Sequence, residues 1–105
     1  AVGASPDDMA RAINAVSRNG GYAVCDGNVI SALPLEVAGL MSTSPARIVA
    51  QKENDLVELL AGMGCKLPAP FMTLSFQSLL VVPELKIGER GLFDTRRMEV
   101  VPAIL

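Results

Sequence analysis

Asp7 and Asp8 are adjacent carboxylates, the residue types that hold a divalent cation or share acid–base work. They directly follow Ser5-Pro6, which opens a helix, and acidic residues in a first turn answer the positive end of the helix dipole. Capping therefore accounts for them. Gly3-Ala4-Ser5-Pro6 has the position of an anion-holding loop between a strand and a helix, yet no lysine is near it and both Asp follow. Gly20-Gly21 comes after a helix, not between strand and helix, so it is no phosphate loop. Thr73 and Ser75 alternate with apolar residues and could face a ligand, but ordinary half-exposed strand positions account for them. Glu84 and Lys86 fall on one face by the same alternation, and Arg96-Arg97 read as a solvated basic pair. Met9, Met41, Met63, Met72 and Met98 lack copper-site spacing and read as core filler. Cys25 and Cys65 could pair in principle; two buried reduced thiols are the expectation, since neither a CxxC motif nor a histidine supports redox or nucleophilic work. These residues assemble no catalytic, cofactor-binding or metal site.

The elements that would position them follow from local rules. Ala1–Ala4 resembles the tail of a strand. A first helix begins at Pro6, with Met9, Ala12, Ile13 and Val16 on one apolar face, and ends at Gly20-Gly21. Tyr22–Asp26 and Val29–Leu33 form a hairpin whose central pair is Asp26-Gly27 or Gly27-Asn28. Glu36–Ser42 is an apolar connection with a flexible Gly39. Ser44-Pro45 repeats the helix-start chemistry for a second helix from Pro45 to Ala61, with Val49, Leu56, Leu59, Leu60 and Met63 as its buried stripe. Pro68 and Pro70 block its continuation. Met72–Gln77 alternates as a strand, with Met72, Leu74 and Phe76 on one face. Glu84–Ile87 alternates again, Gly88–Gly91 turns, and Met98–Leu105 is extended. The expected fold is α/β of the α+β kind: one domain over 1–105, two helices on one mixed β-sheet, in the approximate order β-α-β-β-α-β-β.

Composition limits the function classes. The 105 residues contain no histidine, so neither a Ser-His-Asp nor a Cys-His relay nor an imidazole metal ligand exists. Nine Lys+Arg against eleven Asp+Glu give a net charge of −2, without the basic footprint that nucleic acid or anionic lipid requires. No apolar run approaches the roughly 20 residues of a membrane helix. Half of the chain is hydrophobic and mean hydropathy is +0.40, too apolar for disorder and high for a small free-standing domain. One apolar face covered by something else is therefore expected.

Three stretches together resemble a known family. They are Val2–Ala10 (VGASPDDMA), Leu33–Ser42 (LPLEVAGLMS), and Pro70–Phe76 (PFMTLSF) continuing to Val82–Ile87 (VPELKI) and Arg90–Asp94 (RGLFD). The chain resembles the C-terminal domain of bacterial and archaeal adenine deaminase, of the amidohydrolase superfamily. The third stretch is the most specific, and Thr95–Leu105 the least diagnostic.

The resemblance implies a cytoplasmic parent enzyme of purine salvage that converts adenine to hypoxanthine and ammonia. It places the chemistry in a (β/α)₈ barrel holding a divalent metal (manganese, iron or zinc) that activates water. No position here matches a barrel ligand, so none is carried over, and no cofactor is expected in this chain. A chain that begins with Ala1 is expected to be a C-terminal fragment. Its partners would be the missing amidohydrolase barrel and, in a homo-oligomer, a second subunit. Neither nucleic acid nor membrane is an expected partner. Apart from the resemblance, apolar connections flanked by Gly or Pro can serve as lids, so either Glu36–Ser42 or Phe71–Ser75 is expected to approach the parent active site. The competing reading is a stand-alone ligand-binding, oligomerisation or regulatory module using the polar face of Met72–Gln77.

Overall fold

The computed structural model describes residues 1–103; Ile104 and Leu105, the end of the expected extended tail, lie outside the described residues. The chain is α+β, in the order α1 (Pro6–Val16), β1 (Tyr22–Asp26), β2 (Val29–Leu33), α2 (Ala46–Gly62), α3 (Pro70–Ser78), β3 (Leu85–Gly88), β4 (Gly91–Asp94) and β5 (Glu99–Val101). Among the described residues, three helices and two small antiparallel sheets replace the expected two helices on one mixed sheet. The chain divides into two compact units, Ala1–Leu67 and Pro68–Leu105.

In the first unit, α1 starts as its sequence dictates. Ser5 takes an extended conformation and its hydroxyl accepts the Asp8 N–H at 3.2 Å, while Pro6 occupies the first turn. Ala1–Ala4 form no strand. The hairpin pairs Tyr22 with Leu33 through Asp26 with Val29, so Gly27-Asn28 is the central pair. Gly27 takes φ 54° and Asn28 does not join the positive-φ residues, the pattern of a type II′ turn and not I′. Val24 and Cys25 are both buried although neighbouring strand residues point to opposite faces, so both faces of the ribbon are covered. Both α1 and α2 pack on it.

Glycine is required at one junction. Gly21 has φ 85°, and a Cβ there would stand 2.0 Å from the Leu33 carbonyl oxygen. The start of α2 departs from expectation. The residue before the helix is Pro45, and Ser44 makes no capping bond. Leu56 alone is buried on α2 among the described residues, while Met63, expected in the stripe, is exposed.

In the second unit, the segment expected as the Met72–Gln77 strand is the middle of α3. The period-2 pattern was misleading because a different pair points inward. Phe71 is buried and Ser75 half-buried, one helical turn apart, whereas Met72, Leu74 and Phe76 are exposed. Pro70 supplies the start signal at the first turn. Gly91, expected in a turn, instead begins the strand Gly91–Asp94, which is central in the β3-β4-β5 sheet. Leu85 pairs with Asp94 and Gly88 with Gly91, then Leu92 with Val101 and Asp94 with Glu99.

Candidate functional site

The first unit contains a solvent-open cavity of about 270 Å³. Asn19 after α1, Leu33 and Pro34 at the end of β2, and Ile48, Val49 and Lys52 of α2 form its walls. Glu36, Ser42 and Ser44 line the remaining side from the connection that joins β2 to α2.

Glu36 organises that connection. One carboxylate oxygen, Oε1, accepts the Thr43 backbone N–H at 2.8 Å, the Thr43 hydroxyl at 2.7 Å and the Ser42 hydroxyl at 3.1 Å. Ser42 Oγ in turn accepts the Ser44 N–H at 3.2 Å. These donors favour the charged carboxylate, and the Thr43 backbone N–H contributes most. They pull the Glu36 pKa from the ordinary 4.5 down to about 2. A carboxylate so acidic is a weak base and is not protonated near neutrality, so it is unsuited to acid–base catalysis there. What it does is close a loop.

Between Glu36 and Ser42 the backbone folds back on itself. Val37 and Met41 exchange N–H···O bonds of 2.9 and 3.1 Å, and the Leu40 N–H also donates to the Val37 carbonyl at 3.1 Å. Ala38 and Gly39 take φ 56° and 75° to make the reversal. The Gly39 carbonyl accepts the Gly21 N–H at 3.2 Å, tying the loop tip to the start of the hairpin.

Asp7 and Asp8 do not act as a pair. Asp8 bridges α1 to the hairpin turn: its carboxylate accepts the Cys25 thiol at 3.4 Å and the Gly27 N–H at 3.4 Å, and lies 3.5 Å from Arg11. Burial, then the bond to Asp8, pushes the Cys25 thiol up from its ordinary value, which keeps it protonated and unreactive. Cys25 is buried and Cys65 half-buried, and both are free.

Thr73 and Ser75 present no polar strand face. Each hydroxyl donates to the carbonyl one turn earlier, Thr73 to Ala69 at 2.9 Å and Ser75 to Phe71 at 2.8 Å. Glu84 and Lys86 are likewise separated. Exposed Glu84 pairs with Arg96, while buried Lys86 donates to Gln77 at 2.9 Å. Arg97 pairs with Glu99, and the Arg96 and Arg97 N–H groups donate to Asp94 at 2.8 and 3.1 Å. Met41, Met63, Met72 and Met98 are exposed rather than core filler.

Among the described residues, no group of three or more His, Cys, Asp or Glu side chains could hold a metal ion. The donor set of the described residues does not fit the divalent metal that the resemblance implies, and the resemblance places that metal in the barrel. No helix is long and apolar enough to cross a membrane among the described residues. Glu36 was missed in the sequence reading. The one available signal was the pair of hydroxyl residues, Ser42-Thr43, after a glycine-containing reversal.

Comparison with known proteins supplies what the geometry does not. A family model described as "Adenine deaminase C-terminal domain" matches residues 1–99. An adenine deaminase of Methanosarcina mazei is 48% identical over 102 residues, covering 96% of this chain and 18% of the relative. One from Salinibacter ruber is also 48% identical over 102 residues, covering 96% and 19%. One from Dehalococcoides mccartyi is 43% identical over 104 residues, covering 97% and 18%. The chain therefore spans about 18% of the length of the curated relatives it matches. No solved structure matches it.

Proposed function

Because this chain belongs to the adenine deaminase C-terminal domain family, we propose that it is an accessory domain of an adenine deaminase. In this reading it packs on the catalytic part of a longer cytoplasmic enzyme that hydrolyses adenine to hypoxanthine and ammonia. The carrying observation is coverage: relatives named adenine deaminase match 96% of this chain while the match takes up 18% of their own length. The metal, whether manganese, iron or zinc, and its ligands belong to the remaining part. No catalytic, cofactor-binding or metal-binding residue is assigned to this chain.

The absence of histidine from the sequence, and of a clustered carboxylate set among the described residues, supports this division of labour. The polar strand face that favoured a stand-alone ligand module is a helix whose Thr73 and Ser75 hydroxyls are bonded to their own backbone.

The test is an adenine deamination assay on the purified 105-residue chain, supplied in turn with manganese, iron and zinc. No turnover is expected. Turnover that survives a control for contaminating host deaminase would overturn the reading.

A further inference from the structure

We infer that the Glu36–Thr43 loop is a preformed apolar plug, and that Leu40 and Met41 at its tip insert into the catalytic part of the deaminase. The inference rests on the accessory-domain reading and specifies the surface that reading leaves open.

Order and exposure conflict in this loop. Its two legs are joined by the Val37–Met41 bridge, its tip is tied to Gly21, and the Glu36 carboxylate clamps the returning leg at Ser42 and Thr43. All that order holds Leu40 77% exposed and Met41 59% exposed, with Val37 exposed beside them. Apolar side chains exposed on a helix or strand ride on elements that form for other reasons. A loop outside regular structure has no such reason, and fixing it in water with its apolar tip outward gains no burial. The gain comes on docking, because a loop already ordered loses little further conformational entropy when its tip is buried.

The occupant follows from chain length. The match covers nearly all of this chain but 18% of the Methanosarcina mazei relative, so more than four-fifths of that relative lies outside the match and is available to receive the tip. The clamp also selects the mode of contact. Ser42, Thr43 and the Glu36 oxygen that faces them are occupied with one another, which leaves the apolar tip as the contact surface.

Methionine oxidation reads the insertion directly. The part of the Methanosarcina mazei deaminase outside the match is joined to this chain, and the native chimera is treated with dilute hydrogen peroxide. Sulfoxide is then followed at Met41 and Met98 by peptide mass spectrometry. In this structure the two are almost equally exposed, at 59% and 61%. Met41 should oxidise about tenfold more slowly than Met98, because sulfoxide formation follows access. Equal rates would overturn the plug. A second measurement uses the double variant Leu40→Lys with Met41→Lys against Met63→Lys, an exposed helix-end control. The double variant should lower the melting temperature of the chimera and the control should not; no difference between them also overturns the plug. Adenine turnover by the unmodified chimera reports separately on the accessory-domain reading. An active chimera with unprotected Met41 removes the plug alone, and a protected Met41 in a chimera without turnover removes the deaminase role alone.

Discussion

Two different kinds of contact hold the units Ala1–Leu67 and Pro68–Leu105 together internally, one kind within each. In the first, Val24, Cys25, Leu33, Leu35 and Leu56 are buried and make an apolar core around the hairpin. In the second, among the described residues, the buried apolar side chains are those of Pro70 and Phe71, and the other buried residues are Lys86 and Thr95. Each of those two has a polar anchor: Lys86 donates to Gln77, and Thr95 donates to the Glu84 carbonyl through both its N–H at 3.0 Å and its hydroxyl at 2.8 Å. A unit this small buries too little apolar surface to rely on it, so polar contacts specify the register of its elements. Polar contacts in the first unit have another task. Asp8 and Glu36 fasten turns and loops around a core that already exists.

Five measurements would break or sharpen this contrast. Gly21→Ala should have the largest effect. Its Cβ would meet the Leu33 carbonyl at 2.0 Å in a left-handed conformation, so the loss in stability should exceed about 3 kcal/mol, read by denaturant unfolding. Leu56→Ala follows, at about 3 kcal/mol, because Leu56 is only 2% exposed. It is best read as lost amide protection in β1 and β2. Thr95→Ala should cost about 1–2 kcal/mol, read as lost protection of the paired amides in β3 and β4, because it removes a hydroxyl bond at a buried site. Should it cost more than Leu56→Ala, the assignment of apolar cohesion to one unit and polar anchoring to the other is reversed. Ser5→Ala should cost about 1 kcal/mol through the lost cap of α1, visible as fraying of its first turn in amide exchange.

The smallest effect is local to the loop. The Glu36 pKa is depressed in the folded chain, so its contribution is complete above 4.5 and is lost as pH falls through about 2. The Thr43 amide shift, followed by NMR across that interval, should titrate near the lower value. A midpoint near 4.5 would mean that the clamp is not formed in solution.

The legible parts of the sequence share one property. Ser5-Pro6, the turn between Tyr22–Asp26 and Val29–Leu33 and the alternation at Leu85–Ile87 each work over a few residues, where capping, fixed φ and side-chain periodicity act without help from the rest of the chain. The misread parts are those where two local signals compete. Met72–Gln77 alternates like a strand yet follows a proline that starts a helix, and the burial of Phe71 with Ser75 decides for the helix. Ser44 looks like a cap but makes no capping bond, whereas its neighbours Ser42 and Thr43 bond Glu36 six and seven residues back. A glutamate with no regular spacing to its partners offers no period to detect.

From its sequence the chain determined its family, its lack of a histidine-based catalyst, its first helix and its hairpin. These depend on identity and on nearest neighbours along the chain. The division into two small antiparallel sheets, the bridging role of Asp8, the clamp at Glu36 and the exposure of Leu40 and Met41 were decided by the tertiary structure. The reason is physical: a hydrogen bond or a buried contact between distant residues forms only where packing brings them within about 3 Å, a proximity that residue type does not encode.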